Sequence, residues 1–162
     1  MIKFVHLTDI HFSNRQSIIN NKSFAPKKLL QLAIDKICRI RPEPDFILIS
    51  GDLTNSGNLE SYKLLKKYFQ KFKQPVFLAL GNHDNRKAFN KVFKNKISKE
   101  QLFYDQLVGN LNLITLDTSL PREVSGSLGI DQLNFLKNSL EKNKKLPSLI
   151  MMHHPPKFSE NS

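Results

Sequence analysis

The stretch FILISGDLT, residues 46–54, combines a short apolar run with a polar turn and follows the chain breakers Pro42 and Pro44. Four apolar residues bounded in this way predict a buried strand rather than a helix. A strand without polar alternation is covered on both faces, as in the sheets of α/β proteins. Because Asp52 follows this run, the stretch predicts both an α/β fold and a carboxylate at a strand end.

The alternation of short apolar runs with helical patterns extends along the chain in both directions. The predicted strands are residues 2–7, 46–49, 76–80, 103–107, 111–116 and 149–152, and the predicted helices are residues 27–40, 58 or 61 to 72, 86–95 and 131–142. Asn58 or Ser61 is the candidate N-cap of the second helix. Gly109 and Asn110 predict a hairpin turn, and residues 117–129 are punctuated by proline and glycine and predict a loop.

Strands that alternate with helices predict an α/β fold, with a sheet flanked by helices. The hairpin makes that sheet mixed rather than purely parallel. The length of 162 residues suits one domain with its own core, and a hydrophobic fraction of 40% with twelve Phe argues against disorder. We therefore predict a single domain over residues 1–162.

Charge and cysteine content narrow the classes of partner and compartment. The net charge of +11 favours an anionic partner such as nucleic acid, phospholipid headgroups or phosphate esters. The lysines are spread over predicted helix faces, however, which favours a solvated surface over a dedicated nucleic-acid groove. Cys38 is the single cysteine, which suits a reducing compartment. The start of the chain is too short and too polar for a signal peptide, and no apolar run reaches membrane-spanning length. These features predict a soluble cytoplasmic protein without a membrane partner.

The polar residues that stand out all follow predicted strands. They are Asp9 and His11 after the first, Asp52 after the second, Asn82, His83 and Asp84 after the third, and His153 and His154 after the last. Each group alone has an ordinary interpretation as a turn or a chance pair. Ligands of open α/β sheets bind outside the carboxyl ends of the strands, so four such groups together predict one functional site there.

The residue types of this site favour metal binding. Mixed oxygen and nitrogen donors suit Mn, Fe, Co or Zn better than Ca or Mg, and the lack of a cysteine cluster argues against a structural zinc site. The donors exceed what one ion needs, which indicates two ions. Two ions about 3.5–4 Å apart can activate water and stabilise an in-line displacement at phosphorus.

Four of these sequences resemble the motifs of the calcineurin-like metallophosphoesterases: Asp9-Ile10-His11, Gly51-Asp52, Gly81-Asn82-His83-Asp84 and His153-His154-Pro155-Pro156. Residues 50–55 and 128–133 are also similar to the bacterial class III cyclic-nucleotide and glycerophosphodiester phosphodiesterases. The resemblance covers nearly the whole chain. It implies the N-terminal part of an α/β/β/α sandwich and hydrolysis of a small phosphodiester, with a cyclic nucleotide among the candidate substrates, by a hydroxide that bridges two metal ions.

The resemblance also implies metal ligands by number in this chain. Asp9 and His11 would bind the first ion, and Asp52 would bridge both ions through its two oxygens. Asn82, through its amide oxygen, and His153 would bind the second ion.

The remaining polar residues would act around the metals. The resemblance implies that His83 faces the substrate, where it contacts a phosphate oxygen or protonates the leaving group. Asp84 would hold the His83 ring in its orientation. His154 and His6 would support the ligands, and Asn55 would either reach the phosphate or stabilise a turn.

One family motif, Gly-His-x-His, does not occur in this sequence. The expectation is therefore a C-terminally truncated domain that lacks one ligand for each metal and the second half of the two-sheet sandwich. A catalytically inactive product and a basic nucleic-acid-binding module are the alternatives to a phosphodiesterase. The second alternative has no recognisable nucleic-acid motif in its favour. The sequence leaves the substrate, the metal identity and the oligomeric state open.

Overall fold

The computed structural model describes residues 1–13, 25–94 and 101–156, and the backbone of residues 17–19 and 22–24. The strands are β1 Phe4–Leu7, β2 Ser17–Ile19, β3 Lys22–Phe24, β4 Phe46–Ser50, β5 Val76–Ala79, β6 Tyr104–Val108, β7 Leu111–Thr115 and β8 Ser148–Met151. The helices are α1 Pro26–Ile37, α2 Leu59–Phe69, α3 Arg86–Phe93 and α4 Ile130–Lys142. The predicted strands and helices are all present, with shifted ends. The hairpin of β2 and β3 was not predicted, and the predicted end of the third helix at Asn95 lies outside the described residues.

The main strands form two sheets rather than the single mixed sheet expected from the sequence. Strands β1, β4 and β5 form a parallel sheet in the order β1-β4-β5. Strands β6, β7 and β8 form a second sheet, in which β6 and β7 pair antiparallel and β7 and β8 pair parallel. Only the second sheet is mixed, because the predicted hairpin at Gly109-Asn110 joins strands of that sheet alone.

The two sheets pack face to face through a buried apolar layer. Phe46 and Leu48 of β4, together with Phe77 of β5, form one cluster with Leu113 of β7 and Met151 of β8. The expectation that the second half of the sandwich would be absent was therefore wrong. The pattern of residues 111–115 explains the packing, since alternate side chains of a strand point to opposite faces and place Leu111 and Leu113 on the inner one.

Helices cover the two outer faces. On the first sheet, Ile47 and Ile49 pack in one cluster with residues of α1, α2 and α3, among them Ile34, Leu65 and Phe89. On the second sheet, Asn112 of β7 donates a hydrogen bond of 3.3 Å to the carbonyl of Ser139 in α4. The layers thus run α/β/β/α, which confirms the predicted fold class. Within the described residues, no helix is long and apolar enough to cross a membrane.

Two asparagines fix the starts of helices that flank the strand ends. The Asn58 side chain accepts a hydrogen bond of 2.8 Å from the Ser61 amide at the start of α2, so Asn58 rather than Ser61 is the cap. The Asn85 side chain accepts one of 2.9 Å from the Ala88 amide at the start of α3. Helix α3 therefore begins directly after the polar group at residues 82–84.

The hydroxyl of Tyr104, in β6, links the two sheets through hydrogen bonds to the backbone of Leu78 in β5. It donates to the Leu78 carbonyl and accepts from the Leu78 amide, each over 3.1 Å. Burial raises the pKa of Tyr104, so it stays a neutral phenol that can make both bonds. We expect Tyr104→Phe to lower the free energy of unfolding by about 1–3 kcal/mol, because two buried backbone groups lose their partner.

Urea denaturation followed by circular dichroism measures this change. Tyr68→Phe is the matched control, since the Tyr68 hydroxyl makes no hydrogen bond among those found within the described residues. An equal effect of the two substitutions would show that the Tyr104 hydroxyl does not stabilise the sandwich.

Candidate metal centre

The predicted site residues follow the carboxyl ends of four strands. Asp9 and His11 follow β1, Asp52 follows β4, His83 follows β5 and His153 follows β8. The chain segments after β1 and β4 continue side by side beyond the sheet. The Asp9 amide donates to the Gly51 carbonyl over 3.2 Å, and the His11 amide donates to the Asp52 carbonyl over 2.8 Å. These backbone bonds place the side chains of two strand ends in one space.

Three of the predicted ligands have an unusual backbone conformation. The φ angles are 53° for Asp9, 43° for His11 and 48° for Asp52. A residue with a Cβ adopts this left-handed region at a cost of about 1–2 kcal/mol. Such conformations persist where the surrounding structure imposes them, and they are concentrated at functional sites. The strain at three neighbouring ligands is therefore an observation in favour of a site, independent of the sequence motifs.

The acidic and imidazole side chains form two groups that share Asp52. One group contains Asp9, Asp52 and His153, and the other contains His11, Asp52 and His83; within each, one ligand atom per residue lies within 4.8 Å of the others. The His11 Nε2 is 3.3 Å from Asp52 Oδ2, and the His153 Nε2 is 3.5 Å from Asp52 Oδ1. The two oxygens of one buried carboxylate thus face two different histidines.

This grouping differs in part from the one that the resemblance implies. Asp9 and His11 were expected on one ion, and their closest ligand atoms are 3.7 Å apart, yet Asp9 also belongs to the group with His153. His83 was expected to face the substrate, and its ring lies edge-on to His11 with centroids 4.7 Å apart. Asn82 is half-buried beside His83 and lines a cavity next to the site.

Backbone carbonyls orient two of the histidines. Nδ1 of His153 is 3.1 Å from the Ser50 carbonyl oxygen, and Nδ1 of His83 is 3.1 Å from the Asn55 carbonyl oxygen. A carbonyl can only accept, so Nδ1 carries the proton in both rings and Nε2 keeps its lone pair when the ring is neutral. Metal-binding histidines are held by this kind of bond. Asn55 therefore contributes its backbone oxygen, a role that the sequence does not indicate.

The Asp84 carboxylate, expected to orient His83, accepts other hydrogen bonds. Its donors include the amides of Leu53 and Gly81, both at 3.0 Å, the amide of Thr54 at 3.2 Å and the hydroxyl of Tyr62 at 2.8 Å. Burial raises the pKa of Asp84, and the bonds from Gly81 and Leu53 oppose that shift. Asp84 thus ties the loop after β4 to the loop after β5.

The loops after β4 and β5 approach so closely that Gly81 has no room for a side chain. A Cβ at this position would lie 2.1 Å from Oδ1 of Asp52 and 2.5 Å from its backbone nitrogen. Gly81 therefore allows the approach that brings Asp52 against the His83 amide, which donates to Asp52 Oδ1 over 3.0 Å.

His154 lies outside both groups of ligands. Its Nδ1 is 2.8 Å from the Thr118 hydroxyl, and its Nε2 is 2.9 Å from the Val124 carbonyl oxygen. Both ring nitrogens therefore contact the loop after β7. The supporting roles of His154 and His6 stay predictions, and the Nε2 of His6 is 2.7 Å from the Ser50 hydroxyl at the end of β4.

An ion pair that the sequence does not reveal connects the site to the second sheet. The Arg86 guanidinium contacts the fully buried carboxylate of Asp117 with two bonds of 2.7 and 3.0 Å. Arg86 also donates to the Ser119 carbonyl over 2.6 Å. The two side chains are 31 residues apart in sequence, in a helix start and a loop, so no local pattern links them.

Comparison with known proteins identifies the family of this chain. A family model described as calcineurin-like phosphoesterase matches residues 2–162. A probable glycerophosphodiester phosphodiesterase of Arcobacter nitrofigilis is 29% identical over 94% of this chain, and a 3',5'-cyclic-nucleotide phosphodiesterase of Nostoc sp. is 34% identical over 99% of it. The chain spans 56% and 59% of the lengths of these two relatives.

A solved structure shows the same fold. The purple acid phosphatase from yellow lupin seeds superposes with a TM-score of 0.63 at 14% identity, covering 94% of this chain and 30% of the phosphatase. The family match spans almost the entire sequence, and the structural likeness agrees with the two-sheet architecture. The chain therefore belongs to the calcineurin-like phosphoesterase family.

Proposed function

We propose that this chain forms the metal-binding part of a phosphodiesterase that hydrolyses a small phosphoric diester with two metal ions. The shared carboxylate of Asp52 is the observation that carries the proposal, because two separate sets of donors meet on its two oxygens. The names of the relatives, which include cyclic-nucleotide and glycerophosphodiester phosphodiesterases, support a diester as the substrate.

The donors present suit two transition ions. In the proposal, Asp9, Asp52 and His153 hold one ion, and His11 and Asp52 hold the other, with Asn82 as an amide ligand from the neighbouring loop. Carboxylate, amide and imidazole donors together favour Mn, Fe, Zn or Co. Metal ions at such a site supply Lewis acid activation of the phosphate and lower the pKa of water.

His83 is the proposed acid that serves the leaving group. Its ring is exposed and therefore accessible to a substrate, while Nδ1 is held by the Asn55 carbonyl. When the ring is doubly protonated, the remaining nitrogen, Nε2, can donate to a phosphate oxygen or transfer its proton to the departing alkoxide, and the neutral ring that results keeps its proton on Nδ1. In this scheme Asp84 acts as a positioning residue, because it fixes the loop that carries His83.

Metal-dependent turnover of bis(p-nitrophenyl) phosphate tests the proposal. We expect the chain stripped of metal with EDTA to be inactive, and Mn²⁺ to restore release of p-nitrophenolate by at least about a hundredfold. Cyclic AMP and glycerophosphocholine, assayed by phosphate-ester cleavage under the same conditions, then distinguish the two substrate types that the relatives suggest.

Other outcomes favour the alternatives. Metal binding without turnover on any of the three esters would favour a catalytically inactive product. DNA binding that weakens with salt and persists after removal of the metal ligands would favour a basic nucleic-acid-binding module.

A further inference from the structure

We propose that the cavity beside the metal centre is a subsite for a second anionic group of the substrate, held by Lys87 and Arg122. This inference rests on the proposed function, because it takes the metal centre as the place where the diester is cleaved. It adds a substrate class, namely phosphodiesters that carry a further phosphate or carboxylate away from the scissile bond.

The cavity has the size and position of a substrate subsite. Its volume is 870 Å³, and it lies between the start of α3 and the loop at residues 119–122. Asn82 lines it, so it adjoins the residues proposed to hold the metals. Pockets of about 300–1,000 Å³ hold ligands of nucleotide or drug size. A substrate whose diester lies at the metals can therefore extend into this space.

Two exposed cations of the cavity lining have no carboxylate partner among the described residues. The charge of Arg86 is matched by Asp117, and the one acid in the lining, Asp84, is already occupied by its amide and hydroxyl donors. Among the contacts found within the described residues, neither Lys87 nor Arg122 is paired with a carboxylate. The cavity thus presents a net positive charge to its contents.

The positive charge of Lys87 lies at an unfavourable position, in the first turn of α3. The first turn of this helix contains Arg86 and Lys87 and no acidic residue. The amino end of a helix carries a partial positive charge, so a cation there is repelled and an anion is attracted. Asp117 offsets the charge of Arg86, and an anion in the cavity would do the same for Lys87.

The backbone at Arg122 provides independent support. Its φ is 65°, a conformation that favours glycine and costs a residue with a side chain about 1–2 kcal/mol. The chain nevertheless carries an arginine there, at the edge of the cavity. Strained backbone residues are concentrated at active sites and ligand-binding sites. Amide groups of Asn85 and Asn90 in the same lining can complete the hydrogen bonds to a phosphate.

Binding to the metal-free chain tests the subsite without any catalysis. The probes are thymidine 3'-monophosphate and thymidine, titrated into the ¹⁵N-labelled chain in EDTA and followed by amide shifts. We expect the monophosphate to bind at least about fivefold more tightly than thymidine, with amide shifts at Arg86 and Lys87 and in the loop at residues 119, 120 and 122. Lys87→Ala combined with Arg122→Gly should remove that difference.

Two features keep this binding test decisive. Arg122→Gly places glycine where φ is positive, so the double variant should keep its circular dichroism and melting temperature. Lys67→Ala, an exposed lysine on α2, is the matched control and should preserve the fivefold preference. Equal binding of both probes, shifts confined to other surfaces, or a preference that survives the double variant would each overturn the proposal.

A pair of chromogenic diesters extends the test to turnover. The p-nitrophenyl ester of thymidine 5'-phosphate and its analogue with an added 3'-phosphate share the same scissile bond. We expect kcat/KM to favour the analogue by about fivefold or more in the Mn²⁺-loaded chain, and the double variant to bring this ratio close to one. If neither ester is cleaved, the proposed function fails, and the binding test alone decides the subsite. A ratio near one in the unsubstituted chain would contradict the subsite.

Discussion

Asp52→Asn is expected to lower turnover of bis(p-nitrophenyl) phosphate by at least about a thousandfold, which corresponds to about 4 kcal/mol of lost transition-state stabilisation. The reason is that Asp52 is the one residue common to both groups of ligands. An amide has a single oxygen and no charge, so it cannot serve two ions in the same way. We expect the Mn content measured by atomic emission to fall from about two ions per chain to less than about one.

The substitution is designed to leave the fold intact. Asn has the shape of Asp and is among the few residues that adopt a left-handed backbone readily, which suits the φ of 48° at this position. Asp35→Asn, at an exposed site on α1, is the control and should retain full activity and metal content. Strong turnover by Asp52→Asn, with both ions bound, would show that the site has been assigned to the wrong residues.

Gly81→Ala is expected to lower the free energy of unfolding by about 1–3 kcal/mol and turnover by about a hundredfold. A methyl group here meets Oδ1 and the backbone nitrogen of Asp52 at 2.1 and 2.5 Å. The carboxylate oxygen could rotate away, but the backbone nitrogen cannot, so the two loops must separate. Displacement of Asp52 by a fraction of an ångström then disturbs both groups of ligands together. Urea denaturation and initial rates measure the two effects.

Gly129→Ala provides the comparison for Gly81. A Cβ at Gly129 meets nothing within 4 Å, so the added methyl group has free space. Gly129 is the N-cap of α4, where alanine is a poorer residue, and we expect a loss of at most about 1 kcal/mol with no change in turnover. Equal effects at both positions would mean that the close approach of the two loops is not required for the site.

Much of the fold could be predicted from local sequence. Apolar runs such as residues 46–49, the hairpin turn at Gly109-Asn110 and the cap at Asn58 are all determined by neighbouring residues, and all three are confirmed. The division into two sheets could not be predicted in this way. It depends on which strand edges pair, and the residues within a strand do not specify which other strand it pairs with.

The site shows the same division between local and distant information. The strand-end motifs indicated which residues meet, and the structure brings together Asp9, His11, Asp52, His83 and His153. Their supporting contacts depend on atoms far apart in the chain. The carboxylate of Asp84 binds amides about 30 residues away, and the Arg86 side chain reaches Asp117 across 31 residues. The residue type alone could not show whether the Asp84 carboxylate contacts His83 or joins the loops after β4 and β5.

The hydrogen bonds to Asp84 bear on whether the fold around the site requires bound metal. Amides from both loops and the Tyr62 hydroxyl hold these segments through protein atoms alone. The ligands are therefore preorganised, and ion binding needs little loss of conformational entropy from the backbone. Other domains fold only when their metal is bound, and removal of the metal by a chelator unfolds them. We therefore expect the scaffold to persist when a chelator removes the metal, so that one ion could replace another without a cycle of refolding.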